Sequence, residues 1–102
     1  MRILILGAGP AGLEAAERLR ALAPRRQVFP EITMVSAEPY PPYSPPAMAD
    51  HFLTGSDERL FWKGEDVSER LGIDYRSGVA AKFVDTEARR VRLADGTLLN
   101  YD

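Results

Sequence analysis

With 102 residues the chain is long enough for one hydrophobic core and too short for two domains, and a domain of this size buries somewhat under ~70% of its unfolded surface. Its 45% hydrophobic and 27% charged residues are those of a globular protein, and a net charge of −2 provides no field to steer it toward nucleic acid or an anionic membrane. There is no cysteine, which excludes disulfides, thiolate zinc sites and thiol redox chemistry for this chain, and the single histidine, His51, cannot build a metal site by itself.

The first element is the continuous apolar run Ile3 to Leu6, which suits a strand buried on both faces of a parallel sheet. Met1 leads into it through Arg2 with too little charge and apolar length for a signal peptide. No apolar stretch approaches ~18 residues, so no membrane span and a cytoplasmic location are expected. Gly7-Ala8-Gly9-Pro10-Ala11-Gly12 follows the strand and opens a helix. In such a turn the first glycine permits the sharp bend, the second lacks the side chain that would hold a pyrophosphate off the backbone, and the third lets helix and strand approach. Pro10 falls in the first helical turn, where its missing N–H costs nothing. The free amides of that turn, together with the positive end of the helix dipole, present an anion site.

Along this helix Ala11, Ala15, Leu19 and Leu22 recur at helical spacing, which leaves Glu14, Glu17, Arg18 and Arg20 for solvent and lets Glu14 pair with Arg18. Pro24 is expected to end the helix before a polar connection through Arg25 and Arg26. A second strand, Ile32 to Ser36, completes a βαβ unit over residues 1–38. Glu38 lies just past that strand, where a carboxylate accepts hydrogen bonds from both hydroxyls of an adenosine ribose and repels a 2′-phosphate.

Residues 39–64 form a loop region in which prolines 39, 41, 42, 45 and 46 favour extended chain. Ser56 with Asp57 and Glu58 resembles a helix N-terminus, with Arg59 to Lys63 completing about two turns and Leu60, Phe61 and Trp62 anchoring it. In residues 65–102, a short helix over Asp66 to Leu71 closes at Gly72 and leads to a strand, Ile73 to Arg76. Lys82-Phe83-Val84, Arg90-Val91-Arg92-Leu93 and Thr97-Leu98-Leu99 then read as an antiparallel meander. Its second turn, Asp95-Gly96, is a two-residue hairpin signal. His51 reads as a loop histidine, and Arg89, Arg90 and Arg92 as a solvated strand face.

The βαβ unit, the Glu38-Pro39-Tyr40-Pro41-Pro42-Tyr43 loop, and Val91-Arg92-Leu93-Ala94-Asp95-Gly96 with Tyr101-Asp102 together resemble the start of the FAD-dependent pyridine nucleotide-disulphide oxidoreductases. The resemblance is to the branch of NADH oxidases, nitrite reductase large subunits and ferredoxin reductases, and it covers the whole chain. It implies an α/β fold: a partial Rossmann-like FAD-binding domain, with a βαβ unit on a parallel sheet and a small antiparallel β-meander. It assigns the FAD pyrophosphate to Gly7, Gly9 and Gly12, with Pro10 and Ala11 between them, and the FAD ribose to Glu38. The parent chemistry it implies is electron transfer from NAD(P)H through FAD to an acceptor that the sequence does not identify.

In that family Tyr-Asp is followed by the strand that completes the FAD site and by a nicotinamide-nucleotide domain. Members that use cysteine place it between positions corresponding to Tyr43 and Gly55, and ferredoxin-reductase-like members place Ser-Lys after a proline pair. This sequence has Pro45-Pro46-Ala47-Met48-Ala49-Asp50 there, which favours plain flavin electron transfer over thiol or lysine-assisted variants. A helix N-terminus and one carboxylate contribute on the order of 1 kcal/mol each, against several kcal/mol of association entropy, so this chain alone is expected to bind FAD weakly or not at all and to be inactive. An uncovered sheet edge and apolar face are expected to promote self-association.

Three readings stay open: the FAD-binding portion of an oxidoreductase, a standalone NAD-binding module, and a non-catalytic interaction domain. Tyr40 and Tyr43 either pack the proline run or approach a flavin, and Phe61 and Trp62 either anchor the core or an interface or lie near a flavin ring or a partner.

Overall fold

The computed structural model describes residues 1–27, 29–43 and 63–102. The expected helix near Ser56, its anchors Leu60, Phe61 and Trp62, the Pro45 to Asp50 segment and His51 all lie outside the described residues.

Two small sheets make up the body. Strands β1 (Arg2–Leu6), β2 (Glu31–Val35) and β3 (Asp74–Arg76) form a parallel sheet in the order β1-β2-β3. Helix α1 (Pro10–Arg26) connects β1 to β2, and the short α2 (Val67–Arg70) precedes β3. Strands β4 (Ala81–Asp85), β5 (Arg90–Leu93) and β6 (Leu98–Asn100) form the antiparallel meander. The parallel register runs from Arg2 opposite Glu31 to Leu6 opposite Val35, then from Thr33 opposite Asp74 to Val35 opposite Arg76.

Strand alternation explains why both faces of β2 are used. Ile32 and Met34 point to one side, where they pack with Ala16 of α1, Ile73, Ile3, Ile5 and Leu19. Val35 points to the other side and meets Val91 and Leu93 of the meander, with Leu4, Val79 and Leu99 around them. One strand therefore seals two separate cores. β1 is less enclosed than its apolar run predicts: its three central residues are only partly buried and Leu6 is 47% exposed. It has a strand partner on one side alone among the described residues, so its outer edge and part of each face meet solvent.

The buried stripe of α1 also differs from the expected one. Leu13, Ala16 and Ala23 are buried, whereas Ala11 and Ala15 are exposed and Leu22 is 46% exposed. The register of the helix is set at its start, where the close approach of Gly12 to β1 turns the Leu13–Ala16–Ala23 face onto the sheet. Arg20, expected in solvent, lies on the seam and donates to the main-chain oxygens of Leu71, Pro30 and Gly72 at 2.6, 2.8 and 2.9 Å. Glu17, also expected in solvent, is partly covered and pairs with Lys63 at 3.4 Å. Glu14 and Arg18 pair at 3.1 Å as their spacing dictates.

Pro24 does not stop α1. The helix continues to Arg26 and ends at Gln27, whose left-handed backbone places its amide on the Ala23 carbonyl. A proline removes one N–H and crowds one carbonyl, and near a helix end the remaining bonds carry the chain past it. The second meander turn is longer than the two residues expected. Leu93 pairs with Thr97 across Ala94, Asp95 and Gly96, the Gly96 amide donates to the Leu93 carbonyl, and Gly96 adopts a φ of +90°. This is the three-residue loop in which a type I turn is followed by a glycine bulge. Among the described residues no helix is long and apolar enough to cross a membrane, and no cluster of three or more metal-ligating side chains occurs.

Candidate functional site

The ends of β1 and β2 that carry the glycine turn and Glu38 open into one cleft. Gly7 leaves β1 with a φ of +113°, a conformation that disfavours any side chain, and its amide donates to the Val35 carbonyl at 2.8 Å. The turn is thereby fastened to the end of β2. Gly12 is required for packing: a Cβ there would run into the Gly7 carbonyl oxygen and meet Ile5 Cγ2 at 3.2 Å. Gly9 is different. A Cβ at Gly9 would meet nothing within 4 Å among the described residues, so their packing does not explain a glycine there, whereas the close approach of a bound group would.

Gly9 is the N-cap of α1 and Pro10 occupies the first helical position. The first helical hydrogen bond runs from the Leu13 amide to the Gly9 carbonyl at 3.0 Å. The amides of Ala11 and Gly12 therefore precede the first intrahelical donor, no side chain caps the end, and no acidic residue lies in the first turn. The positive end of the 17-residue helix is free to face an anion.

Across the cleft, the segment after β2 is held by backbone bonds on both sides. The Ser36 amide donates to Arg76 O and the Val79 amide to Ser36 O, at 2.9 and 3.1 Å, and the Gly78 amide donates to Glu38 O at 3.1 Å. Tyr75 of β3 donates from its hydroxyl to the Tyr40 carbonyl at 2.6 Å, and Pro42 is fully buried. Burial pushes the Tyr75 hydroxyl pKa up from its ordinary value, with Ser36 opposing that shift through a hydrogen bond. The Tyr40 and Tyr43 rings meet edge to face at 6.4 Å and 84°.

Ala8 and Gly9 on one wall face Ser36, Glu38, Tyr40, Pro41, Pro42, Tyr43 and Tyr75 on the other, around about 310 Å³ of open space. The Glu38 carboxylate is exposed on that wall and accepts a 2.5 Å hydrogen bond from the Tyr43 hydroxyl. That bond also holds the Tyr43 pKa above its ordinary value, because ionisation would set two anions side by side. Of the sequence-selected residues, Gly9 and Glu38 line the cleft directly, and Gly7, Pro10, Ala11 and Gly12 build the turn and first helical residues beside it. Sequence reasoning missed Tyr75 and Ser36. Their signal was topological: β3 pairs with β2, which brings Tyr75 under the loop that follows Ser36.

Three arginines expected as a strand face divide. Arg90 and Arg92 lie exposed on β5 beside Phe83, Asp85 and Leu98, whereas Arg89 sits in the turn with a φ of 54° and donates to Asp102 O at 3.3 Å.

Comparison with known proteins gives a consistent result. A family model described as pyridine nucleotide-disulphide oxidoreductase matches residues 1–102. The ferredoxin–NAD(+) reductase component of the anthranilate 1,2-dioxygenase system of Burkholderia cepacia is 37% identical over 96% of this chain and 24% of its own length. Rhodocoxin reductase of Rhodococcus erythropolis is 33% identical over 100% of this chain and 23% of its own. The reductase in a crystal structure of a covalent putidaredoxin reductase–putidaredoxin complex superposes with a TM-score of 0.85 at 27% identity, over 99% of this chain and 24% of that one. The chain thus spans about a quarter of the length of the relatives it matches. These matches bear out the Rossmann-like architecture expected from the sequence.

Proposed function

The chain belongs to the pyridine nucleotide-disulphide oxidoreductase family, and from that premise we propose that it is the portion of an NAD(P)H-dependent flavoprotein oxidoreductase that holds the adenosine end of FAD. The observation that carries this reading is the single cleft shared by Gly9 and Glu38. The Ala11 and Gly12 amides and the helix dipole would bind the pyrophosphate, with Gly7 shaping the turn, Gly9 leaving room for close approach and Pro10 presetting the first helical φ. Glu38 would accept hydrogen bonds from the ribose and discriminate against a 2′-phosphate by charge. When bound, FAD supplies a hydride acceptor for NAD(P)H and a donor of electrons onward. The names of the relatives support a ferredoxin-type protein as the acceptor for the whole protein.

Titration with FAD and, in parallel, with NAD+ tests the reading. Weak but selective quenching of flavin fluorescence, reduced about tenfold further by Glu38→Ala, would support it. Binding of NAD+ without FAD would instead make this a standalone NAD module, and silence toward both would favour a non-catalytic domain or an incomplete site.

Self-association belongs to the same proposal. Met1, Ile3, Leu19, Leu22, Ala23 and Pro30 line an apolar groove between β1 and α1, with Met1 68% exposed. Light scattering is expected to show a mass that rises with protein concentration, and a strictly monomeric species would refute it. A cytoplasmic location is also proposed, to be checked by cell fractionation.

A further inference from the structure

We propose that the Tyr43 hydroxyl is a built-in stand-in for a ribose hydroxyl: it bonds to one Glu38 carboxylate oxygen in the cleft, and an adenine nucleotide must displace it to bind. This inference rests on the nucleotide-site reading above and concerns how that site is regulated.

The geometry supports it in three ways. The contact is a hydroxyl on a carboxylate, the same chemistry as ribose on Glu38, and it is made in the cleft wall between the exposed Glu38 and the half-buried Tyr43. Among the described residues no other side chain donates to this carboxylate. A ribose offers two neighbouring hydroxyls to the two oxygens of one carboxylate, and the Tyr43 hydroxyl already takes one acceptor position on Oε2, where it competes with one of them.

The loop is also built so that Tyr43 can leave. Tyr40 is clamped by Tyr75 through its carbonyl, and Pro42 is buried, so the chain up to residue 42 has fixed points. Beyond those anchors, among the described residues, the Tyr43 ring is held by an edge contact with Tyr40 and by the hydroxyl bond to Glu38. A nucleotide has to break that bond, and its affinity is lowered by whatever the bond contributes to the free protein. The backbone bonds from Ser36 and Glu38 to β3 and the residues after it hold the acid in place when Tyr43 departs.

Two measurements on the full chain test the proposal, with ADP as the probe because it carries the adenosine and pyrophosphate without committing to a flavin. First, tyrosine ionisation is followed by ultraviolet absorbance without ligand, Tyr43→Phe identifying the Tyr43 step. Glu38→Gln is expected to move that step toward the ordinary tyrosine value. No movement would mean the bond is not populated in solution and would overturn the proposal. Second, ADP binding is followed by amide chemical shifts. Tyr43→Phe keeps the ring and its contact with Tyr40, and it is expected to bind ADP about threefold to tenfold more tightly than the unmodified chain. Equal or weaker binding by Tyr43→Phe, with the unmodified chain still binding, would overturn this inference and leave the nucleotide site intact. Failure of both proteins to bind ADP would overturn the nucleotide site itself and this inference with it.

Discussion

The Arg20 guanidinium donates to the Leu71 carbonyl at 2.6 Å across 51 positions of sequence, and through its other nitrogens to Pro30 and Gly72 as well. One side chain on α1 thereby satisfies carbonyls from the connection into β2 and from the end of α2. Charge-assisted bonds to partly buried carbonyls are worth more than neutral surface ones, and deleting the donor leaves acceptors unpaired. Arg20→Met is expected to destabilise the chain by about 2 kcal/mol, seen as a Tm lower by roughly 10 °C. Arg20→Lys should recover less than half of that loss, because a single ammonium cannot span three carbonyls.

The glycines of the turn make a sharper test because their reasons differ. Gly12→Ala meets the Gly7 carbonyl and Ile5, so it is expected to lower Tm markedly. Gly9→Ala meets nothing within 4 Å among the described residues. It should leave folding stability within about 1 kcal/mol of the parent while reducing FAD or ADP binding at least tenfold, measured by calorimetry. If Gly9→Ala binds normally, the cleft does not hold a pyrophosphate at that turn.

Two exposed carboxylates contribute to the acid sensitivity of the fold. The Asp102 pKa is held below its ordinary value of about 3.8 chiefly by a hydrogen bond from the Arg2 side chain, and the Asp95 pKa likewise, chiefly by hydrogen bonding with Thr97. A pKa depressed by folding contributes stability that is fully present above the unfolded value and is lost as pH falls through the folded one. Urea midpoints should therefore hold from about pH 7 to about pH 5 and decline below about pH 4. Asp102→Asn and Asp95→Asn are expected to show a shallower decline.

Pro24 offers a stabilising substitution. It lies inside α1, exposed and without an amide to donate. Pro24→Ala restores that donor and relieves crowding at the preceding turn, partly offset by a freer unfolded chain. A net gain of about 1 kcal/mol is expected, read as a higher Tm.

Most of the architecture was legible because it depends on local rules. The glycine turn, the acid after β2, the Glu14–Arg18 pair and all three meander strands lie where periodicity and turn chemistry place them. The misreadings share a cause, which is that tertiary contacts settle what local pattern leaves open. Ala11, Ala15 and Leu22 fit an apolar stripe as well as Leu13, Ala16 and Ala23 do, and only the approach of Gly12 to β1 selects between them. Arg20 reads as a surface residue until two distant connections supply its carbonyls. At the site, Glu38 was legible from its place after a strand. The roles of Tyr75 and Tyr43 were not, since both depend on which loop β3 lies beneath and on a contact within a proline turn.

Because Met34 and Val35 are adjacent in β2 yet belong to different cores, the helical layer and the meander share a single backbone segment as their common wall. Neither layer can lose that wall while the other keeps it. Amide protons of β2 should therefore exchange with deuterium only through whole-molecule opening, and those of β5 and α1 should lose protection in the same event rather than as separate units.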